Sequence, residues 1–359
     1  MKTKIKRCKR CGLVETFPGV DFNNDQICNY CAYYDLYKER HNLIKAELKN
    51  KFSKIIHKTK QNKNKYDCIV AYSGGKDSTF LLNFLKTEFK LNILAHVLDN
   101  NFISPSAFKN IDKVTKALGV DCVTTKLDKQ LSYDAFTYAL KGKIPYPKEI
   151  LALTSPVCGV CIGMVLGSTF NLAIKHKIPI MFIGFTPGQY PAISLENFLK
   201  VESCIFTSDK VHRDDPLDVL KILADPICEK FGDKASKYYF RSQYHHKGLK
   251  VPRVLFPFHA FLDYDEKEII AEISKLGWER PKDTDPCSTN CLLNAVGNYA
   301  SMKQLNYHPY IGELAHLVRE GKITKAEALL SEKIDENSHP LEYSLKRLKL
   351  TKEMIGGSL

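Results

Sequence analysis

One run of seven residues, Ser73-Gly74-Gly75-Lys76-Asp77-Ser78-Thr79, constrains this chain more than any other. Tyr66 to Tyr72 before it reads as a short buried strand, and Thr79 to Leu85 after it is apolar with helical spacing. A glycine-rich turn between strand and helix leaves backbone N–H groups unpaired at a helix N-terminus, which makes an anion cradle. Gly74 and Gly75 let the backbone approach a phosphate. Lys76 offers a positive charge, Ser73, Ser78 and Thr79 offer hydroxyls, and the helix dipole adds to the field. Asp77 would be repelled by phosphate unless Mg2+ stands between them or its side chain turns away. The bland alternative, an ordinary Gly-Gly turn, sits poorly with strand, loop and helix all agreeing.

The pattern that follows alternates strands and helices. Strands are expected at Ile93–Leu98, Val120–Thr125 and Ile178–Gly184; helices at Ser106–Leu118, Leu131–Leu140 and Ile162–His176. This predicts an α/β fold with a doubly wound parallel sheet. Ligands in such sheets sit beyond the C-terminal strand ends, where Ser73, Asp99 and Gly184 fall. Asp99 is a candidate for a ribose or Mg2+ contact, or equally for a loop cap. Gln189, in the turn after Gly184, is a further candidate contact. Residues 190–250 show no regular pattern. An amphipathic helix is expected at Asp265–Leu276, and a helical pair at Tyr310–Arg319 and Thr324–Leu330.

Twelve cysteines are too many for inert core packing. Cys8-x2-Cys11 and Cys28-x2-Cys31 are two knuckles that can place four thiolates around Zn2+, and so small a module has little core of its own. A redox pair or four free thiols is the alternative. A second set comprises Cys158, Cys161, Cys287 and Cys291. Cys158 and Cys161 fall at an expected helix start, where the dipole favours thiolate. A second zinc, a persulfide carrier or no special role remain open for this set. Cys68, Cys122, Cys204 and Cys228 are isolated and read as core.

The chain has 359 residues and a formal net charge of +13. No apolar stretch approaches the roughly 20 residues a bilayer span needs. Met1 to Arg7 is basic, but Cys8 follows where a signal peptide would have an apolar run. The expectation is a cytoplasmic protein with no membrane partner. Ten of the Lys and Arg residues lie in residues 32–66. A solvated helix and linker explains them better than an RNA-binding arm, since aromatic residues that would stack bases are few. His245, His246 and His259 lie near Arg241 and Arg253 and could hold an anion, though a structural role suits them better.

The Ser73–Thr79 loop resembles that of the PP-loop (N-type) ATP pyrophosphatases, not the P-loop, whose glycines are more widely spaced. The resemblance implies an adenine nucleotide alpha hydrolase-like fold, ATP and Mg2+ as cofactors, cleavage of ATP between its α and β phosphates, and AMP transfer to a substrate oxygen. Lys76, Asp77 and Ser78 would be catalytic, and Ser73 to Thr79 with Asp99 and Gly184 would bind ATP. Three segments resemble the N-acetyl sugar amidotransferase branch: Cys8 to Cys31, Tyr66 to Thr79, and Val318 to Ala328. That branch implies a sugar-like small substrate whose adenylated oxygen is displaced by nitrogen from a separate glutaminase. It does not carry the second cysteine set. Cys158-x2-Cys161 resembles instead the iron–sulfur PP-loop tRNA thiolases, which hold a [4Fe-4S] cluster with two cysteines there and one later, here Cys287 or Cys291. Nitrogen transfer is therefore the leading expectation. Sulfur transfer to tRNA or a small molecule, with a separate sulfur donor, is the first alternative, and a non-enzymatic zinc-bearing RNA-binding protein the second. The expected organisation is a zinc-ribbon-like module (1–35), a basic helix and linker (36–65), a PP-loop domain (66–280) and a helical C-terminal region (281–359).

Overall fold

Near the N-terminus, the chain bends twice through glycines in the left-handed region, Gly12 and Gly19, and is closed by the bridges Arg7↔Val14 and Phe22↔Cys28. Helix α1 (Asn29–Lys60) starts inside this module, so Cys31 sits in its first turn and the helix runs unbroken past position 35. Tyr30, Tyr34, Leu48, Phe52 and Ile56 mark its buried side, while most of its lysines face water. The computed structural model describes residues 5–60, 64–186, 189, 205–206, 216–240 and 251–356.

Strand β1 (Cys68–Ala71) leads through the glycine turn into α2 (Lys76–Glu88). Then come β2 (Ile93–Asp99), α3 (Pro105–Leu118), β3 (Asp121–Lys126), α4 (Lys129–Leu140), α5 (Pro156–Lys175) and β4 (Ile180–Phe182). Ser104 caps α3 by accepting the Ala107 N–H, and Gly119 ends that helix in the left-handed region. The short β5 (Ile205–Phe206), α6 (Pro216–Phe231) and β6 (Arg253–Leu255) come next. The C-terminal part adds α7 (Glu266–Ser274), α8 (Leu293–Leu305), α9 (Ile311–Arg319), α10 (Lys325–Ser331) and α11 (His339–Leu348).

The sheet order is β3-β2-β1-β4-β6-β5, parallel throughout except for the antiparallel edge strand β5. The central strands β1, β2 and β4 are buried on both faces and, apart from His96 and Asp99 of β2, apolar, as a sheet covered by helices on both sides requires. The expected α/β parallel architecture is thus what the chain adopts, and β6 and α6 are elements the sequence pattern missed. Chain order reverses between β1 and β4, so a crevice opens at their C-terminal ends, where Ser73 and Gly184 lie.

Two expectations about α5 need correction. The helix begins at Pro156, not Ile162, so Cys158 and Cys161 lie within it. It is also 20 residues long and apolar enough, by length and composition, to cross a bilayer, contrary to the reading that no stretch approaches that length. The physical reason is burial: α5 packs against β1, β2, β4, α4, α6 and α8, so polar residues have little place on it.

Candidate functional site

The glycine loop is held from several sides. Gly74 has φ +73, and a Cβ there would lie 2.7 Å from Ile111 Cγ1. Its carbonyl accepts the buried Trp278 indole N–H at 3.0 Å. A Cβ at Gly75 would meet Thr289 Oγ1 at 3.1 Å, and a Cβ at Gly184 would meet Ser78 Cα at 3.3 Å. Ser73 Oγ and Ser78 Oγ are 3.1 Å apart, and the Ser73 N–H donates to Ser78 Oγ. Lys76 is almost buried, with Nζ 3.1 Å from Asp77 Oδ2 and 3.8 Å from Glu266 Oε2. Asp77 Oδ1 is buried and has no hydrogen-bond partner among the described residues.

These groups open on a cavity of about 520 Å³ that also reaches the second cysteine set. Ser73, Gly75, Lys76, Asp77, Ser78, Gly184 and Gln189 line it. Three expected contacts do not: Gly74, which packs on Ile111 and Trp278, Thr79 and Asp99. Thr79 is fully buried and hydrogen-bonds the Tyr72 hydroxyl at 3.3 Å. Asp99 turns away and caps the turn after β2, accepting the Asn101 N–H at 2.9 Å. Its neighbour Asn100 faces the cavity instead. His245, His246, Arg241 and Cys204 lie outside the described residues.

All four cysteines of the second set line the cavity, but they do not form one group. The Asn100 side-chain NH2 donates to Cys161 Sγ at 3.3 Å and to Cys291 Sγ at 3.6 Å. These two sulfurs are therefore no farther apart than those distances together. Cys158, one turn before Cys161, is N-terminal in α5, where its N–H donates to the Ser155 side chain. Cys291 is fastened beside them by its bridge to Ile103, with the Leu292 N–H donating to Phe102 O. Cys287 points elsewhere, with Sγ 3.7 Å from Ser331 O. The segment between them reaches the glycine loop: the Lys76 N–H donates to Thr289 Oγ1 at 3.0 Å.

The helix-start argument for thiolate at Cys158 and Cys161 is reversed. Burial pushes the Cys158 thiol up to about 11 and raises Cys161 and Cys291 as well. An apolar pocket penalises thiolate more than one helix end favours it, unless a cation is bound. Three soft sulfur donors of this kind suit an iron–sulfur cluster or another soft metal. The orphaned Asp77 Oδ1, beside the glycine loop, suits a hard divalent cation.

Sequence reasoning also missed Glu313. It reaches the cavity from α9, where it accepts from Thr186 Oγ1 at 2.9 Å and from Gln189 Nε2 at 3.2 Å. Burial raises its carboxyl, while nearby Lys76 works the other way. No local motif marks it, because it faces the loop only through the packing of α9.

The N-terminal cysteines gather into one buried group. Cys8, Cys11, Cys28 and Cys31 have their sulfurs all within 4.8 Å of one another, with Sγ–Sγ distances of 3.8 Å (Cys8–Cys31) and 3.6 Å (Cys11–Cys28 and Cys28–Cys31). A tetrahedron of thiolates around zinc has edges of about 3.8 Å. Thiol hydrogen bonds from Cys28 and Cys31 lower Cys11 to about 7, and Arg319 adds to this. The donor set fits a structural zinc, not a catalytic one, since the four sulfurs leave no open position.

No family model matches the chain. An uncharacterized protein of Methanocaldococcus jannaschii is 24% identical over 310 residues, 86% of each chain. Among solved structures, the U34-tRNA thiolase NcsA from Methanococcus maripaludis, with its [4Fe-4S] cluster, aligns over 93% of this chain and 90% of its own. That match has 16% identity and a TM-score of 0.34. A predicted tRNA methyltransferase subunit from Methanocaldococcus jannaschii aligns over 48% of this chain and 92% of its own, at 18% identity and a TM-score of 0.24.

Proposed function

We propose that this chain is an ATP-dependent, AMP-forming enzyme that adenylates a substrate oxygen and then replaces that oxygen with sulfur. One observation carries the reading. The glycine loop lines the same cavity as Cys158, Cys161 and Cys291, and the segment 287–291 joins the two regions through Thr289 and Cys291. In this reading the N–H groups of the loop, the Ser73 and Ser78 hydroxyls and Lys76 hold the departing pyrophosphate as its charge develops. Asp77 Oδ1 holds Mg2+. Glu313, a carboxyl with a raised affinity for protons, exchanges a proton with the acceptor. Cys158, Cys161 and Cys291 hold a [4Fe-4S] cluster, leaving Cys287 outside it. Such a cluster, when bound, supplies an iron position for the incoming sulfur. The acceptor is an RNA base or small molecule with an amide-like carbonyl.

Nitrogen transfer is the second reading. Its support is that the N- and C-terminal segments resembling the amidotransferase branch pack together, with Arg319 Nη1 3.4 Å from Cys11 Sγ and Lys325 Nζ 2.8 Å from Lys9 O.

Metal and acid-labile sulfide content of anaerobically purified protein separates the two. Sulfur transfer expects about four iron and four sulfide with about one zinc per chain. Iron should be lost in Cys158→Ala, Cys161→Ala and Cys291→Ala and kept in Cys287→Ala. Zinc alone, with no absorbance at ~400 nm, would overturn it in favour of nitrogen transfer.

A further inference from the structure

Asn100 is the first residue after β2 and is buried to 4% exposure. Its side-chain oxygen accepts the Phe102 N–H at 2.8 Å. An N–H can only be met by the oxygen, so this bond fixes which way the amide faces. The NH2 end is thereby turned to Cys161 and Cys291, 3.3 and 3.6 Å from their sulfurs. Two cysteines from distant parts of the chain thus share one oriented donor. An ordinary turn residue would need only the oxygen.

We propose that Asn100 is a positioning residue for the sulfur-ligated centre, whose paired N–H···S bonds hold Cys161 and Cys291 together and raise the reduction potential of the cluster they bind. This rests on the sulfur-transfer reading above. The sign follows from charge. Reduction adds an electron to a centre already negative from its thiolates, and an N–H donor to those sulfurs stabilises the reduced form more than the oxidised one. Without the donor, the midpoint moves to more negative values.

The test is a redox titration of full-length protein loaded anaerobically to equal iron content, followed by the electron paramagnetic resonance signal of the reduced cluster. Asn100→Ala removes both ends of the amide. Asn100→Asp keeps an oxygen for the Phe102 N–H but turns a carboxylate toward the sulfurs. The expected result is a negative shift of the midpoint in Asn100→Ala and a larger one in Asn100→Asp. An unchanged midpoint in both, with lower folding stability in Asn100→Ala alone, would make Asn100 a turn residue and overturn the proposal. Wild-type protein that takes up no iron or sulfide would instead overturn the cluster reading itself, and the role of Asn100 would fall with it.

Discussion

Arg319 donates from Nη1 to the sulfur of Cys11 at 3.4 Å. The arginine is 9% exposed, its Nε has no hydrogen-bond partner among the described residues, and its guanidinium lies 5.9 Å from the Tyr34 ring centre. A buried guanidinium needs negative charge nearby. Four thiolates around a zinc ion would carry a net negative charge and would supply it. Arg319 closes α9 and Glu313 lies in that helix's first turn, so a helix of nine residues links the four-cysteine module to the cavity. The module also packs on Tyr307, Ile311 and Ala315.

Arg319→Met should weaken zinc binding by about 10- to 100-fold, the usual cost of losing an outer partner of a metal ligand. Competition with a coloured chelator measures this. Arg319→Lys should restore part of the affinity, because it keeps the charge and loses the planar donor set. Equal zinc affinity in all three proteins would mean that the charge is balanced elsewhere.

Asp77→Asn should change how ATP binds. In the wild type, calorimetry should show tighter binding with Mg2+ than without. On the proposed role the variant would lack a cation ligand and a negative charge facing phosphate, so its affinity for metal-free ATP should rise while the gain from Mg2+ shrinks. A Mg2+ gain equal to wild type would remove Asp77 from the cation site.

Glu313 should leave a mark on the pH dependence of stability. Burial raises its carboxyl in the folded protein, so the folded state holds a proton through a range in which the unfolded chain has lost it. The associated stability is complete below the ordinary carboxylate pKa and is lost as pH rises through the raised folded value. Glu313→Gln keeps the size of the side chain and cannot ionise. Urea denaturation at a series of pH values, from the carboxylate range to neutrality, should show a smaller fall in stability for the variant. Parallel curves would indicate that Glu313 ionises normally in the fold.

Much of the architecture could be read locally. The strand–glycine turn–helix unit depends on neighbouring residues, and so do the periods that mark β2, α3 and β3. Two local signals mark the start of α5: Ser155 caps it by accepting the Cys158 N–H, and Pro156 fits the first helical position. The apolar length of α5 does not by itself decide its setting, because a helix surrounded by its own fold and a membrane span share the same composition.

The site divides along the same line. Sequence alone determined the glycine turn between strand and helix and the spacing of the two N-terminal cysteine knuckles, because both are built from a few residues close together in the chain. Tertiary structure decided the rest. Asn100 and not Asp99 faces the cavity, since the turn after β2 is locked by the Asn100–Phe102 bond. Cys291 and not Cys287 joins Cys161, since the bridge to Ile103 sets the direction in which the 287–291 segment presents each side chain. Glu313 meets the cavity through the docking of α9 on a module hundreds of residues earlier in the chain. Such choices depend on how distant segments register against one another, and local spacing carries no record of that register.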